Sequence, residues 1–293
     1  MAGVKELRIR IKSVGSIKQI TRAMEMVATT KLRRFQDRAT SSRPYTQEIT
    51  GLVARLAAML GDRVGDRPLF RQGEGDRTLM MVVTSDRGLC GAYNTNLLKE
   101  IEAWRKEHPR PVDYYVYGRK GFQYMNKRDF NVDRFLTDPP LESIDYRTAA
   151  ITARMLQNEF ESGKYAEVIL VYTAFESMVK YVPTMVPFLP ISSEGLAVSG
   201  DESPGSADAD ILLEPDPEAI FDRIVPRYLE TRVFNALLES LTSEYASRRF
   251  AMKNATDAAS DMQKALRGVY NRKRQENITK DLLDIVGGAE AVK

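Results

Sequence analysis

Cysteine and histidine are almost missing from this chain of 293 residues, which has one of each, Cys90 and His108. A single cysteine excludes an intramolecular disulfide and suits cytosol-like redox surroundings. A single histidine excludes His-rich metal sites and most His-dependent triads. No apolar run reaches the roughly eighteen residues a membrane span requires. Neither G-x-G-x-x-G nor G-x-x-x-x-G-K-[ST] occurs. The Arg-rich start contains Glu6 and Glu25 and has little serine before Ser41, so it reads as mature protein and not as a transit peptide.

With 43% hydrophobic and 28% charged residues the chain can form a packed core. Its net charge of +3 conceals a division. Residues 1–43 hold eleven basic side chains against three acidic, residues 227–293 twelve against nine, and residues 44–226 twenty against twenty-eight. Basic ends around an acidic middle point to anionic partners for the ends.

Periodicity is strongest at those ends. Leu7, Ile11, Val14, Ile17, Met24, Ala28, Leu32 and Phe35 keep close to a 3.5-residue spacing with no proline before Pro44, which predicts a helix of about 40 residues, roughly 60 Å long. Steps of four and three from Ile220 to Glu276 meet apolar residues at twelve of seventeen positions. With Gly287 and Gly288 as the stop, this second helix is expected to run about 60 residues, roughly 90 Å. Stripes of this period wind two helices into a left-handed coiled coil, antiparallel if they flank one domain. The longer helix must overhang, leaving Leu282, Leu283, Ile285 and Val286 in need of a surface from another molecule.

The middle alternates. Thr78–Thr84, Val112–Tyr117 and Val168–Thr173 are β-rich runs, with helical segments around 95–106 and 144–161 between them. Met178–Leu189, interrupted by Pro183 and Pro187, reads as an edge strand leading into a loop. The expected class is α/β with a long antiparallel coiled coil. Its parts are an N-terminal coiled-coil helix (1–60), a small Rossmann-like, mostly parallel α/β domain (76–191), a flexible acidic loop (192–210) and a C-terminal coiled-coil helix (211–293). Asp216 before Pro217 marks the start of the last helix.

Four features carry possible chemistry. The turn Ser85-Asp86-Arg87-Gly88-Leu89-Cys90-Gly91 follows the first strand, where a doubly wound fold binds anions, but its glycine spacing is wrong for a nucleotide cradle. A tight strand-to-helix turn or a protein contact accounts for it better. Cys90 as a nucleophile has only His108 as a base, at the far end of the next helix. The basic face Arg8, Arg10, Lys12, Lys18, Arg22, Lys31, Arg33, Arg34 and Arg38 could track phosphates, yet few aromatics are interleaved for stacking and a coiled-coil partner covers one side, so an acidic protein partner explains the charges better. Met24, Met26, Met252 and Met262 read first as core filler. A nucleotide-binding α/β enzyme with helical arms and a nucleic-acid-binding coiled coil are the alternatives to an assembly subunit.

Four segments carry a resemblance: KELRIRIKSVGSIKQITRAMEMVATTKLRRFQDRA, TSDRGLCGAYN, LLEPDPEAIFDRIVPRYLETRVFNALLESLTSEYASRRFAMKNATDAA and VYNRKRQENITKDLLDIVGGAEAV. They are similar to the γ subunits of F-type ATP synthases, over nearly the whole chain. The resemblance implies a non-catalytic central rotor shaft without cofactor or metal. It turns inside a ring of three α and three β subunits, its foot on the ε subunit and the membrane c-ring, peripheral to a bacterial inner membrane on the cytoplasmic side. It also implies partner-contact roles for Met24, Arg33 and Arg34, for Asp86 and Cys90, and for Arg274, Gln275 and Thr279. The apolar tip containing Leu282 and Ile285 is expected to turn in a greasy sleeve, because nonpolar contact is nearly equal at every angle.

Overall fold

The computed structural model describes residues 3–192 and 216–290, so all of the acidic loop except Ser192 lies outside the described residues. The chain divides into two compact units, Met1–Thr30 with Arg248–Lys293, and Lys31–Ser247. Two long helices contribute to both, α1 (Val4–Leu60) and the last helix, α5 (Pro217–Glu290).

Both helices exceed the lengths of about 40 and 60 residues that their apolar spacing predicts, and both lie within the expected parts 1–60 and 211–293. Helix α1 has 57 residues and continues through Pro44. The proline leaves the carbonyl four residues back, on Thr40, without its donor. Thr40 and Pro44 are both exposed, so water can satisfy it. Helix α5 has 74 residues and runs through Gly287 and Gly288. Each glycine costs about 1 kcal/mol relative to alanine, too little to end a helix that is already propagating. At its start Asp216 Oδ1 accepts from the Ala219 amide at 2.9 Å, with Pro217 as the first helical residue.

In the first unit α1 and α5 pair antiparallel. A Cβ on Gly15 would meet Gln263 Nε2 at 2.9 Å, Lys18 Nζ donates to Ser260 Oγ at 3.0 Å, and Thr256 Oγ1 donates to Thr21 Oγ1 at 2.8 Å. Partners on α5 step down as α1 steps up. Leu7, Val14 and Ala28 occupy the seam as expected. Ile17 does not: it is 52% exposed, and the half-buried Lys18 and Thr21 take the seam on the strict 3–4 spacing from Val14. On α5 the seam passes through Met252, Thr256 and Ala259, and Met262 and Val269 of the expected stripe face solvent. Met26 and Met262 are exposed and so are not core filler, whereas Met252 is buried.

The second unit is built on a five-stranded sheet ordered β3-β2-β1-β4-β5. In chain order its elements are β1 (Arg77–Val83), α2 (Tyr93–Glu107), β2 (Val112–Tyr117), α3 (Arg119–Asn126), β3 (Asn131–Leu136), α4 (Tyr146–Glu161), β4 (Tyr165–Phe175) and β5 (Tyr181–Leu189). The first four strands are parallel, and β5 pairs antiparallel on the edge, where its prolines are tolerated. Strands β1 and β2 are buried along almost their whole length, as parallel strands covered on both faces are. Met80, Val82, Tyr114, Val116, Ile169 and Val171 point to the side holding Leu97, Leu98 and Ile101 of α2 and Met125 of α3. On the opposite side Tyr117 Oη meets Thr152 Oγ1 of α4 at 2.7 Å.

Helix α5 is buried on nearly every side from Tyr228 to Arg248. Polar side chains are enclosed with the apolar ones, among them Glu230, Ser240, Thr242, Ser243 and Glu244. Seen from sequence this stretch was one apolar stripe; in the fold it is the axis of a core.

Candidate partner-contact surfaces

A doubly wound sheet binds ligands outside the carboxyl ends of its strands, where the strand order reverses. Here the reversal lies between β1 and β4. That crevice is filled by α5. Ser240 Oγ is 3.5 Å from the Val83 carbonyl that ends β1, Ser243 Oγ donates to the Thr173 carbonyl in β4 at 3.0 Å, and Ser247 Oγ donates to the Cys90 carbonyl at 2.6 Å. Tyr93 Oη lies 2.6 Å from Ser240 Oγ, and burial pushes its phenol well above the ordinary range. Small hydroxylated residues let the helix approach the strand ends closely and satisfy their carbonyls. The space a nucleotide would need is therefore occupied by the chain itself.

The turn after β1 is held from within. The Ser85 amide donates to Asn94 Oδ1 at 3.0 Å, Asn94 Nδ2 donates to Ser85 Oγ at 2.7 Å, and Asp86 Oδ1 accepts from the Arg119 amide at 3.2 Å. Gly118 lets the neighbouring segment come close: its φ is 91°, and a Cβ there would stand 2.1 Å from the Thr84 carbonyl oxygen. Cys90 is only 2% exposed, with Asn94 Nδ2 3.3 Å from its sulfur. His108 caps the other end of α2, fifteen helical residues away or about 22 Å, and its ring stacks on Trp104. A Cys–His pair is not assembled. The turn instead presents Arg87 and Leu89 outward, and Leu89 is 62% exposed with a φ of 63°. The strained, exposed leucine was not singled out in the sequence, although its setting between Gly88 and Gly91 marked the turn as unusual.

Arg33 and Arg34 are exposed on α1 in the second unit, and Met24 is half-buried in the first. Part of the basic face is committed internally. Lys18 bonds Ser260, Lys31 bonds Glu142, and Arg38 Nη2 donates to the Ile144 carbonyl at 2.8 Å. Burial, with Arg34 nearby, lowers the Arg38 guanidinium from its ordinary value.

Arg274, Gln275 and Thr279 are exposed on α5 in the first unit. Ile278, Leu282 and Ile285 follow on one face at steps of four and three, each at least half exposed, with Leu283 and Val286 beside them. The fold thus brings together Asp86 and Cys90 in one turn, and Arg274, Gln275, Thr279, Leu282 and Ile285 on one helical segment. Among the described residues no group of three or more His, Cys, Asp or Glu could hold a metal ion, and no helix is long and apolar enough to cross a membrane.

These features define a class, a coiled-coil subunit with an α/β domain inserted between its helices and an uncovered apolar stripe. The ATP synthase family model matches residues 3–292. The ATP synthase gamma chain of Cytophaga hutchinsonii is 37% identical across 100% of this chain and 99% of its own length, and that of Mycolicibacterium gilvum is 40% identical across 99% and 98%. The chain belongs to the ATP synthase gamma chain family. In fold it is similar to a chain of the Euglena gracilis mitochondrial ATP synthase rotor, with a TM-score of 0.65, 20% identity and coverage of 94% of this chain and 98% of that one. A chain of the same organism's OSCP/F1/c-ring assembly gives a TM-score of 0.67 at 19% identity, covering 99% and 94%.

Proposed function

We propose that this chain is the central rotor shaft of the F1 sector of an ATP synthase. It couples ion-driven rotation of a membrane c-ring to conformational changes in catalytic β subunits and catalyses nothing itself. Family membership supports this reading, and the observation that carries it is the solvent-facing apolar stripe at the end of α5. Such a stripe on a charged helix requires a partner surface, and nonpolar contact without direction suits a bearing. The filled crevice between β1 and β4 argues against the nucleotide-enzyme alternative.

Within this reading Arg33, Arg34, Arg274, Gln275 and Thr279 are contacts to the α3β3 ring, where charge-assisted bonds favour selected orientations. The turn around Asp86 contacts a β subunit or ε through Arg87 and Leu89, with Cys90 supporting it from inside. Met24 contributes through its exposed part. The assembly lies on the cytoplasmic side of a bacterial inner membrane, held there by the ring.

Reconstitution tests the reading. The isolated chain should not hydrolyse ATP, while α and β subunits should show coupled turnover only with it present. ATP hydrolysis by the purified chain at a catalytic rate would refute it. Truncation after Ile278 should weaken assembly and leave the sheet's circular-dichroism signal intact.

A further inference from the structure

A shaft that carries load needs its foot fixed to it, and one link in the fold reaches both long helices at once. The α/β domain interrupts the chain between α1 and α5, so twist applied to the domain reaches the helices through side-chain contacts as well as through connecting chain. One short helical turn, Leu141–Ser143, stands just before α4. Its Glu142 carboxylate accepts hydrogen bonds from Lys31 of α1 and from the Tyr245 hydroxyl of α5. Lys31 Nζ is also 3.3 Å from Tyr245 Oη and lies over that ring, 5.4 Å from its centroid. Phe35 of α1 stacks on the other partner, with ring centroids 5.4 Å apart. Two residues on, the Ile144 carbonyl accepts from Arg38, again on α1.

Other ion pairs of this unit join fewer parts of the shaft. Asp113 ties strands to one another, and Glu230 joins α4 to α5 through Arg154 and Tyr146. Glu142 holds the domain to α1 and α5 together, with both members of its ion pair about one-third exposed. Charge-assisted bonds of this kind are directional, so they resist rotation of the turn about the helix pair.

We propose that Glu142 is a positioning residue of the rotor, a pin that locks the α/β domain to both shaft helices so that torque passes between them without slip. The inference rests on the rotor reading above. The charged and titratable groups facing the carboxylate are Lys31, Tyr245 and Arg87. Burial alone would raise its pKa, but the bonds from Lys31 and Tyr245 outweigh that and hold it below the usual range. The pin is therefore present at neutral pH and is lost as pH falls through the folded-state value.

The test assembles wild-type, E142Q and Y245F chains with α and β subunits, fixes the hexamer to a surface and attaches a bead to the α/β domain. The readout is the angular spread of the bead in its dwells. Because E142Q abolishes the ion pair with Lys31 and leaves the bond from Tyr245 neutral, about half as strong as a charge-assisted one, it is expected to raise the variance about twofold, with ATP turnover per complex unchanged. Y245F keeps the ring against Phe35 and should fall between. Acidification should broaden the wild-type spread toward that of E142Q and leave E142Q nearly flat. Equal spreads in all three, or a loss confined to the fraction of complexes that assemble, would overturn the proposal. A wild-type complex that never rotates would overturn the rotor reading itself, and this inference with it.

Discussion

The same helix, α5, is used in two opposite ways. From Tyr228 to Ser247 it is enclosed by the α/β domain and by α1, with carboxylates and hydroxyls buried along its length. Beyond Arg248 only Met252, Thr256 and Ala259 are buried among the described side chains, and past Lys273 every described side chain is exposed. The 3–4 spacing of apolar residues continues through both regions, so periodicity alone does not distinguish a core axis from a two-helix seam. Environment does. The enclosed stretch is stabilised within the chain, while the outer stretch leaves most of its described surface exposed.

The largest expected effect that sharpens this contrast is a truncation in the enclosed region. Leu241 is fully buried, and Leu241→Ala should cost about 3 kcal/mol by denaturant unfolding; Leu282→Ala should be within about 0.5 kcal/mol of wild type. Comparable losses at both sites would erase the distinction. Next comes Gly118→Ala, in which the new methyl meets the Thr84 carbonyl at a backbone angle alanine disfavours. A loss of about 2–4 kcal/mol is expected, measured as a fall in melting temperature.

Acid should act on the second unit more than on the first. Burial would raise the Asp113 carboxyl, but hydrogen bonds from Arg77, Asn131, Lys164 and Tyr165 outweigh it and hold the folded-state pKa well below the ordinary range. A depressed pKa contributes stability that is complete above the unfolded value, about 4, and is lost as pH falls through the folded one. Asp113→Asn should flatten the pH dependence of unfolding below about pH 4, by roughly 1–3 kcal/mol in amplitude. An unchanged acid limb would show that the loss lies elsewhere.

The smallest effect belongs to the polar seam of the first unit. Thr21 and Thr256 bond each other there, so replacing both by valine removes donor and acceptor together. Stability should stay within about 1 kcal/mol of wild type or rise slightly, whereas Thr21→Val alone leaves its partner's hydroxyl with one bond fewer and should be less stable than the pair.

Much of the fold was legible in the sequence. Strands β1, β2 and β4 are β-branched and aromatic runs, and buried parallel strands advertise themselves in that way. Strand β3 was missed because NVDRFL lies on an edge and carries Asp133 and Arg134, and α3 because eight residues beginning after a glycine give too little periodicity. Ile17 was misassigned to the seam since a lysine and a threonine hold the neighbouring positions by hydrogen bonds to α5, which composition does not reveal. The candidate contacts were legible only in part. Arg274, Gln275 and Thr279 are exposed and ordinary by local chemistry, so only resemblance singled them out, while the Glu142 link joins residues more than a hundred positions apart.

Single-molecule observation of the assembled complex tests the central claim most directly. With the α3β3 hexamer immobilised and a bead on the exposed surface of the α/β domain, ATP should drive stepwise rotation in one direction, and removal of ATP should stop it. Sustained ATP turnover with a stationary bead would contradict the account.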